Sequence, residues 1–474
     1  MSPLSPMKAL VLAACLPGAA LAATPAADLQ QLRAEIEQIR RSHQAQIQAL
    51  EARLQRAEAA SRAPVPAPAP APLAAAPLPP APVPQAMTPV AVPPSRQVAA
   101  AAAGDRFNPQ IELILSGQLA RLSRVPTGRI EGYALPVDAD PLRRGFSLGE
   151  SELRLSASVD PRFYGAMALA VHGDNQLSVE EAFVETTALT NGKTVKAGRF
   201  YSGIGYLNPQ HAHAWDFIDN PLAYQAFLGT QFSQDGVQAR WLLPTERYVS
   251  LFAEAGNGVR FPGAAADRNR AGALALGVKS GSDWGTSSSW QAGASVLRTD
   301  PRGRESLATD RSGSEVRNAY SGRSTAVILD GVWKWAPNGD ATRTSFQLQG
   351  EYIRRREDGT LTYDSAATAS ADRYAATQSG WYVQGVYRVT PTWRAGLRYD
   401  RLDAGRVDFG ANAANLAASD FRPRRMSALV EWRASEFSRV RLQLADDRSR
   451  IEGPDRQLLL QYQMSLGAHG AHGY

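Results

Sequence analysis

From Gln110 almost to the end of the chain, stretches of about ten residues alternate apolar with polar side chains, and the gaps between them are alternately short and long. Nothing else in the sequence constrains the fold as much. Alternation with period two makes a two-faced strand. About ten such residues cross a bilayer. A sheet survives in lipid only when it closes on itself, because an open edge leaves backbone groups unpaired there. The pattern therefore predicts an all-β fold over 105–474: a transmembrane antiparallel β-barrel of about sixteen strands.

Individual segments carry the argument. Ile111, Leu113, Leu115 and Leu119 alternate with Gln110, Glu112, Ser116 and Gln118. Leu153, Leu155, Ala157 and Val159 alternate with Glu152, Arg154, Ser156 and Ser158, and Val440, Leu442 and Leu444 with Arg439, Arg441 and Gln443. Turn chemistry marks 160–162, 190–193, 244–246, 337–340, 390–392 and 435–437. Long polar loops are expected near 123–145, 201–235, 257–271, 299–323, 357–379 and 403–423. Trp241, Trp290, Trp333, Trp335, Trp381, Tyr387, Trp393, Tyr399 and Trp432 flank strands, as in interfacial girdles. A soluble sandwich or propeller would not segregate tryptophan and leucine from arginine and glutamate on nearly every strand. An even strand number puts both ends of the barrel in the periplasm.

The front of the chain differs. Lys8, the apolar run Ala9–Leu16 and Ala20-Leu21-Ala22 read as a signal peptide over 1–22, with Met7 an alternative start. Leu12-Ala13-Ala14-Cys15 also resembles a lipidation site; cleavage after Ala22 is the preferred reading. Within 23–62, Leu29, Leu32, Ile36 and Ile39, then Ile47, Leu50 and Leu54, make a short α-helical coiled-coil seam with a stutter. Residues 63–104 are Pro/Ala repeat, too poor in apolar bulk to pack. As polyproline II, its ~30 most proline-rich residues reach roughly 90 Å through the periplasm.

Composition removes other classes. Hydrophobic residues are 44% of the 474, with no long apolar run past the N-terminus. The single cysteine excludes a disulfide framework. The net charge of +6 comes with arginines spread along strands, so nucleic acid is not an expected partner. No serine sits in a G-x-S-x-G setting and no H-E-x-x-H occurs, so no enzyme and no catalytic residue is expected.

Two features bear on selectivity. By strand parity Arg343, Arg355, Arg388, Arg394, Arg398, Arg425, Arg433, Arg439 and Arg441 face the lumen, as do Glu112, Glu150, Glu152, Glu181 and Glu185 in the first strands. The two groups are expected on opposing walls, one basic and one acidic, drawing in anions. The second feature is the segment 201–234, too apolar and aromatic for a solvated loop. It is expected to fold inward as a constriction carrying His211, His213, Trp215, Asp216 and Asp219. His211 and His213, with the pair His469 and His472, are candidate metal ligands; a hydrogen-bonded loop histidine is the commoner reading. No cofactor is required, and Zn2+ is the candidate substrate or ligand.

Glu180-Glu181-Ala182-Phe183-Val184-Glu185, Val195-Lys196-Ala197-Gly198-Arg199-Phe200, Asp219-Asn220-Pro221-Leu222 and Ser379-Gly380-Trp381-Tyr382-Val383-Gln384-Gly385 resemble the phosphate-selective porin O and P family. That resemblance implies a sixteen-stranded trimeric porin whose third loop enters the pore. The coiled coil resembles that of trimeric dicarboxylate and sugar porins. The His211-Ala212-His213 stretch and the 467–472 tail look like outer-membrane proteins described as zinc-regulated receptors, which implies a link to zinc. The expectation is an outer-membrane porin-like channel for small hydrophilic, anionic solutes. Zinc uptake and a structural tether to the cell wall are the alternatives. The partners expected are outer-membrane lipid and lipopolysaccharide, two further copies in a homotrimer, and peptidoglycan.

Overall fold

The computed structural model describes residues 109–137, 141–173, 176–264 and 269–467. The signal peptide, coiled coil and linker expected over 1–104 lie outside the described residues, as do His469 and His472. The strands are β1 (Gln110–Leu122), β2 (Gly145–Leu148), β3 (Ser151–Asp160), β4 (Phe163–Val171), β5 (Leu177–Thr186) and β6 (Lys193–Tyr201). They continue as β7 (Ser233–Leu242), β8 (Tyr248–Gly256), β9 (Ala273–Trp284), β10 (Ser288–Thr299), β11 (Arg304–Thr309) and β12 (Glu315–Trp335). The last are β13 (Ser345–Tyr363), β14 (Ser370–Arg388), β15 (Trp393–Asp408), β16 (Arg424–Ser435), β17 (Ser438–Arg448) and β18 (Asp455–Gly467).

These segments form one closed antiparallel barrel of 16 strands. β2 and β3 pair with successive stretches of β1 and count as one interrupted strand. β10 and β11 do the same against β12. Closure runs through β1 and β18, from Glu112 opposite Gly467 to Leu122 opposite Gln457. The alternation read from the sequence becomes two faces. On β8, Leu251, Ala253 and Ala255 are exposed outward, while Ser250, Phe252 and Glu254 are buried inward. Apolar side chains on the outer face are at home in lipid. Among the described residues no helix is long and apolar enough to cross a membrane.

The connections depart from expectation in four places. The stretches 299–323 and 357–379 are mostly continuations of the ladder, broken at 300–303, 310–314 and 364–369. At 21 residues β12 is roughly 70 Å long by the usual rise per residue, well past the bilayer. Both faces of such an extension meet water or other loops, so the apolar alternation fades while the backbone pairing persists. β15 likewise runs to Asp408, inside the loop expected from 403. The turn at 285–287, between β9 and β10, is an additional short one. At Asn191-Gly192, in the six-residue connection from β5 to β6, both residues have positive φ, 60° and 70°, which asparagine and glycine adopt most readily.

Candidate inner loop and its anchors

Between β6 and β7, residues 202–232 leave the sheet and return thirty residues later. Their last third holds a helix, α1 (Leu222–Leu228), following Pro221 and closed by Gly229 in the left-handed region. Seven residues are too few to hold a helix alone. Burial holds it: Leu222, Ala223, Tyr224, Ala226, Phe227 and Leu228 are all buried against β13, β14 and β15. The Phe227 ring meets Tyr133 edge-on at 5.5 Å and lies under the Arg355 guanidinium at 5.2 Å.

The way into the loop is fixed by two inward carboxylates. Glu254 on β8 accepts from Ser202 Oγ at 2.6 Å and from the Gly203 amide at 2.8 Å. Glu351 on β13 accepts from the amides of Tyr206 and Leu207 at 3.1 and 3.0 Å, and from the hydroxyls of Tyr224 and Tyr382 at 2.9 and 2.7 Å. Four donors on one buried carboxylate make a strong anchor. Gly205 stands beside it at φ +60°, where a Cβ would lie 2.3 Å from Glu351 Oε2. Only glycine satisfies both the backbone angle and the space.

The histidine end of the loop meets the N-terminal strands. His211 Nδ1 lies 3.1 Å from both Glu152 Oε2 on β3 and Glu180 Oε2 on β5, and its Nε2 lies 2.9 Å from Glu181 Oε2. His213 Nδ1 lies 2.9 Å from the same Glu152 oxygen. The two rings stack at 5.6 Å. Arg154 on β3 approaches His211 Nε2 at 3.1 Å and Glu181 at 3.5 Å. Burial pushes the His211 ring down, but Glu152 and the hydrogen bonds from Glu152, Glu180 and Glu181 outweigh it and carry the ring well above the usual histidine value.

The aspartate end meets the C-terminal strands. Asp219 receives Arg398 Nη2 at 2.6 Å, Arg425 Nη1 at 2.9 Å and Gln443 Nε2 at 2.7 Å. Asp216 pairs with Arg394. Arg441 donates to the Trp215 carbonyl at 2.6 Å, Arg439 to the His213 carbonyl, and Arg355 to the Ala226 carbonyl at 3.3 Å. Burial pushes the Asp219 carboxyl up; Arg398 and Arg425 outweigh it and bring it down to about 2.

Most of the candidate lumen residues occupy inward positions, but their roles and grouping differ from expectation. Arg355, Arg394, Arg398, Arg425, Arg439 and Arg441 grip the loop, and inward acids accompany them. Glu431 lies within 3.3 Å of Arg394, Arg433 and Arg439, and Asp400 lies 3.1 Å from Arg398. That side of the barrel is therefore not simply basic. Arg388 is inward at the end of β14. Arg343 is not in a strand; it is exposed in the turn before β13, where parity has no meaning. The acidic and basic groups are not opposing walls either. Closure leaves only β18 between β17 and β1, and His213 touches both groups, with Glu152 of β3 at its ring and Arg439 of β17 at its carbonyl. Glu112 and Glu185 are inward, Glu185 lying 3.6 Å from Lys196. Glu150 sits at the break between β2 and β3, beside Glu180 and Glu152.

Glu180, Glu254 and Glu351 are the residues that strand counting missed or left unassigned. Glu180 has a physical reason. The pairing of β4 with β5 slips between Ala168 and Leu169, leaving Glu180 without a cross-strand partner. This bulge turns Glu180 and Glu181 to the same buried side.

The phosphate-selective porin O and P model matches residues 149–415, which include β3 to β15 and the whole inner loop. An uncharacterized protein of Aquifex aeolicus (strain VF5) is 30% identical over 355 residues, 70% of this chain and 71% of its own. Among solved structures, a loop-deleted OmpT of Vibrio cholerae aligns over 76% of this chain and 99% of its own at 12% identity, with a TM-score of 0.47. The channel DcaP of Acinetobacter baumannii aligns over 76% and 97% at 12% identity, with a TM-score of 0.44. An anion-selective porin from Comamonas acidovorans aligns over 76% and 99% at 10% identity, with a TM-score of 0.42. By the extent of the family match, the chain belongs to the phosphate-selective porin O and P family and is an outer-membrane channel for small solutes.

Proposed function

We propose that the channel passes small hydrophilic solutes by diffusion, prefers anions, and is narrowed by residues 202–232. The observation that carries the preference is a set of inward basic side chains near the short-turn ends of the strands. Lys196 of β6, Arg240 of β7, Lys334 of β12, Arg388 of β14 and Arg433 of β16 each lie within three residues of that end. The unburied inward acids at the same level are fewer, with Glu185 of β5 the clearest. A positive collar set in low-dielectric walls raises the local anion concentration and repels cations. The narrowing is supported by the anchors on the inward faces of β3, β5, β8 and β13 to β17, which leave the loop no room to swing clear without breaking buried ion pairs. The coiled-coil seam at 28–61 supports a homotrimer.

The test is the reversal potential of the purified protein in a planar bilayer under a KCl gradient. The wild type is expected to prefer chloride, and Lys196→Glu with Lys334→Glu to move the potential toward potassium. A wild type that prefers potassium overturns the proposal, and so does a double variant with an unchanged potential.

A further inference from the structure

The histidine end of the loop has the arrangement of a metal site. Glu152, His211 and His213 each bring one ligand atom to a common point, all within 4.8 Å of one another. The contacts that define it are 3.1 Å from His211 Nδ1 to Glu152 Oε2, 2.9 Å from His213 Nδ1 to the same oxygen, and 3.1 Å from His211 Nδ1 to Glu180 Oε2. Tetrahedral zinc with ordinary bond lengths keeps its ligand atoms about 3.3 Å apart. The spacing between neighbouring donors is thus close to what such an ion requires.

Three further observations point to a cation. Glu152 is 2% exposed, and its second oxygen, Oε1, is buried without a hydrogen-bond partner. A buried carboxylate oxygen without a donor is costly unless a cation or water takes it. Glu181 holds His211 Nε2 at 2.9 Å, leaving Nδ1 to face the cluster. This is how an outer carboxylate orients a metal-binding imidazole. Carboxylates also outnumber guanidiniums: Glu152, Glu180 and Glu181 converge there, while Arg154 is the guanidinium in contact with the cluster. Two imidazoles among carboxylates favour a transition metal over calcium or magnesium, which take oxygen ligands.

We infer that Glu152, His211 and His213, with Glu180 as a fourth donor, bind one divalent transition-metal ion of the Zn2+ class and tie the inner loop to β3 and β5. The inference stands apart from the channel reading and does not depend on anion preference.

Isothermal titration with ZnCl2 tests it, using the full chain in detergent after treatment with a chelator. One Zn2+ per chain is expected. Glu152→Gln, and His211→Ala with His213→Ala, should each weaken binding at least tenfold. Glu181→Gln should weaken it by about tenfold, as outer-shell changes do. His469→Ala with His472→Ala should leave the site intact. X-ray absorption on the zinc-loaded wild type reads the ligands without any substitution and should show two imidazoles. A wild type that binds no zinc overturns the inference, leaving the histidines as a hydrogen-bonded strap. Zinc that survives His211→Ala with His213→Ala, zinc that is lost with the tail histidines, or a spectrum without paired imidazoles does so as well.

Discussion

The two ends of the inner loop lie a few residues apart in sequence and are held by opposite chemistry. At His211 and His213 the barrel offers carboxylates; at Asp216 and Asp219 it offers guanidiniums. The aspartate end is balanced. Arg398 and Arg425 face Asp219 and Asp400, and Arg394 and Arg439 face Asp216 and Glu431. The histidine end carries more carboxylates than fixed cations. A strap with a positive and a negative end docks in one orientation only, since reversing it sets like charges together. The balanced end supplies rigidity, and the unbalanced end supplies a place for a cation.

Just past the aspartate end comes the apolar helix, Leu222–Leu228, which serves as a control on both. Phe227→Ala empties a fully buried ring site and should cost about 3–5 kcal/mol of loop docking. Hydrogen exchange across 202–232 should then accelerate at both ends together. Asp219→Ala leaves Arg398 and Arg425 buried with Asp400 and Asp447 as remaining partners, so the cost should be about 3 kcal/mol, the low end for a broken buried pair. Here faster exchange should centre on 215–220. In chelator-treated protein, His213→Ala removes one hydrogen bond to a carboxylate that keeps His211, at about 1.5 kcal/mol, with exchange faster near 211–213. If His213→Ala loosened the loop more than Asp219→Ala, the contrast between the ends would be wrong.

Acid should have the smallest effect over most of its range. The Asp219 carboxyl titrates at about 2 when docked, against 3.8 ordinarily, so it favours docking above the ordinary value. That contribution is lost as pH falls through about 2. Exchange at 215–220, corrected for intrinsic rates, should be unchanged from pH 7 to 5 and rise only in strong acid.

The sequence was informative where one physical rule acted alone. Ser250 to Ala255 alternates because one face meets lipid and the other the interior, and the barrel shows the same two faces. It was uninformative where distant parts meet. Glu351 looks like any inward acid on its strand; that it caps Tyr206 and Leu207, some 145 residues earlier, has no local signature. Glu180 was hidden by a bulge that breaks parity, and Arg343 was misplaced by parity counted through a turn. The seven residues of α1 are too short to show helical periodicity, although their apolar character and the following glycine mark a buried segment with a stop.

The most direct test of the account is the unitary conductance of the wild type against a chain carrying both Phe227→Ala and Asp219→Ala. If residues 202–232 narrow the pore, undocking them should enlarge the open step under the same salt. An equal step in a folded double variant would mean that the conducting path is set elsewhere, and would contradict the account.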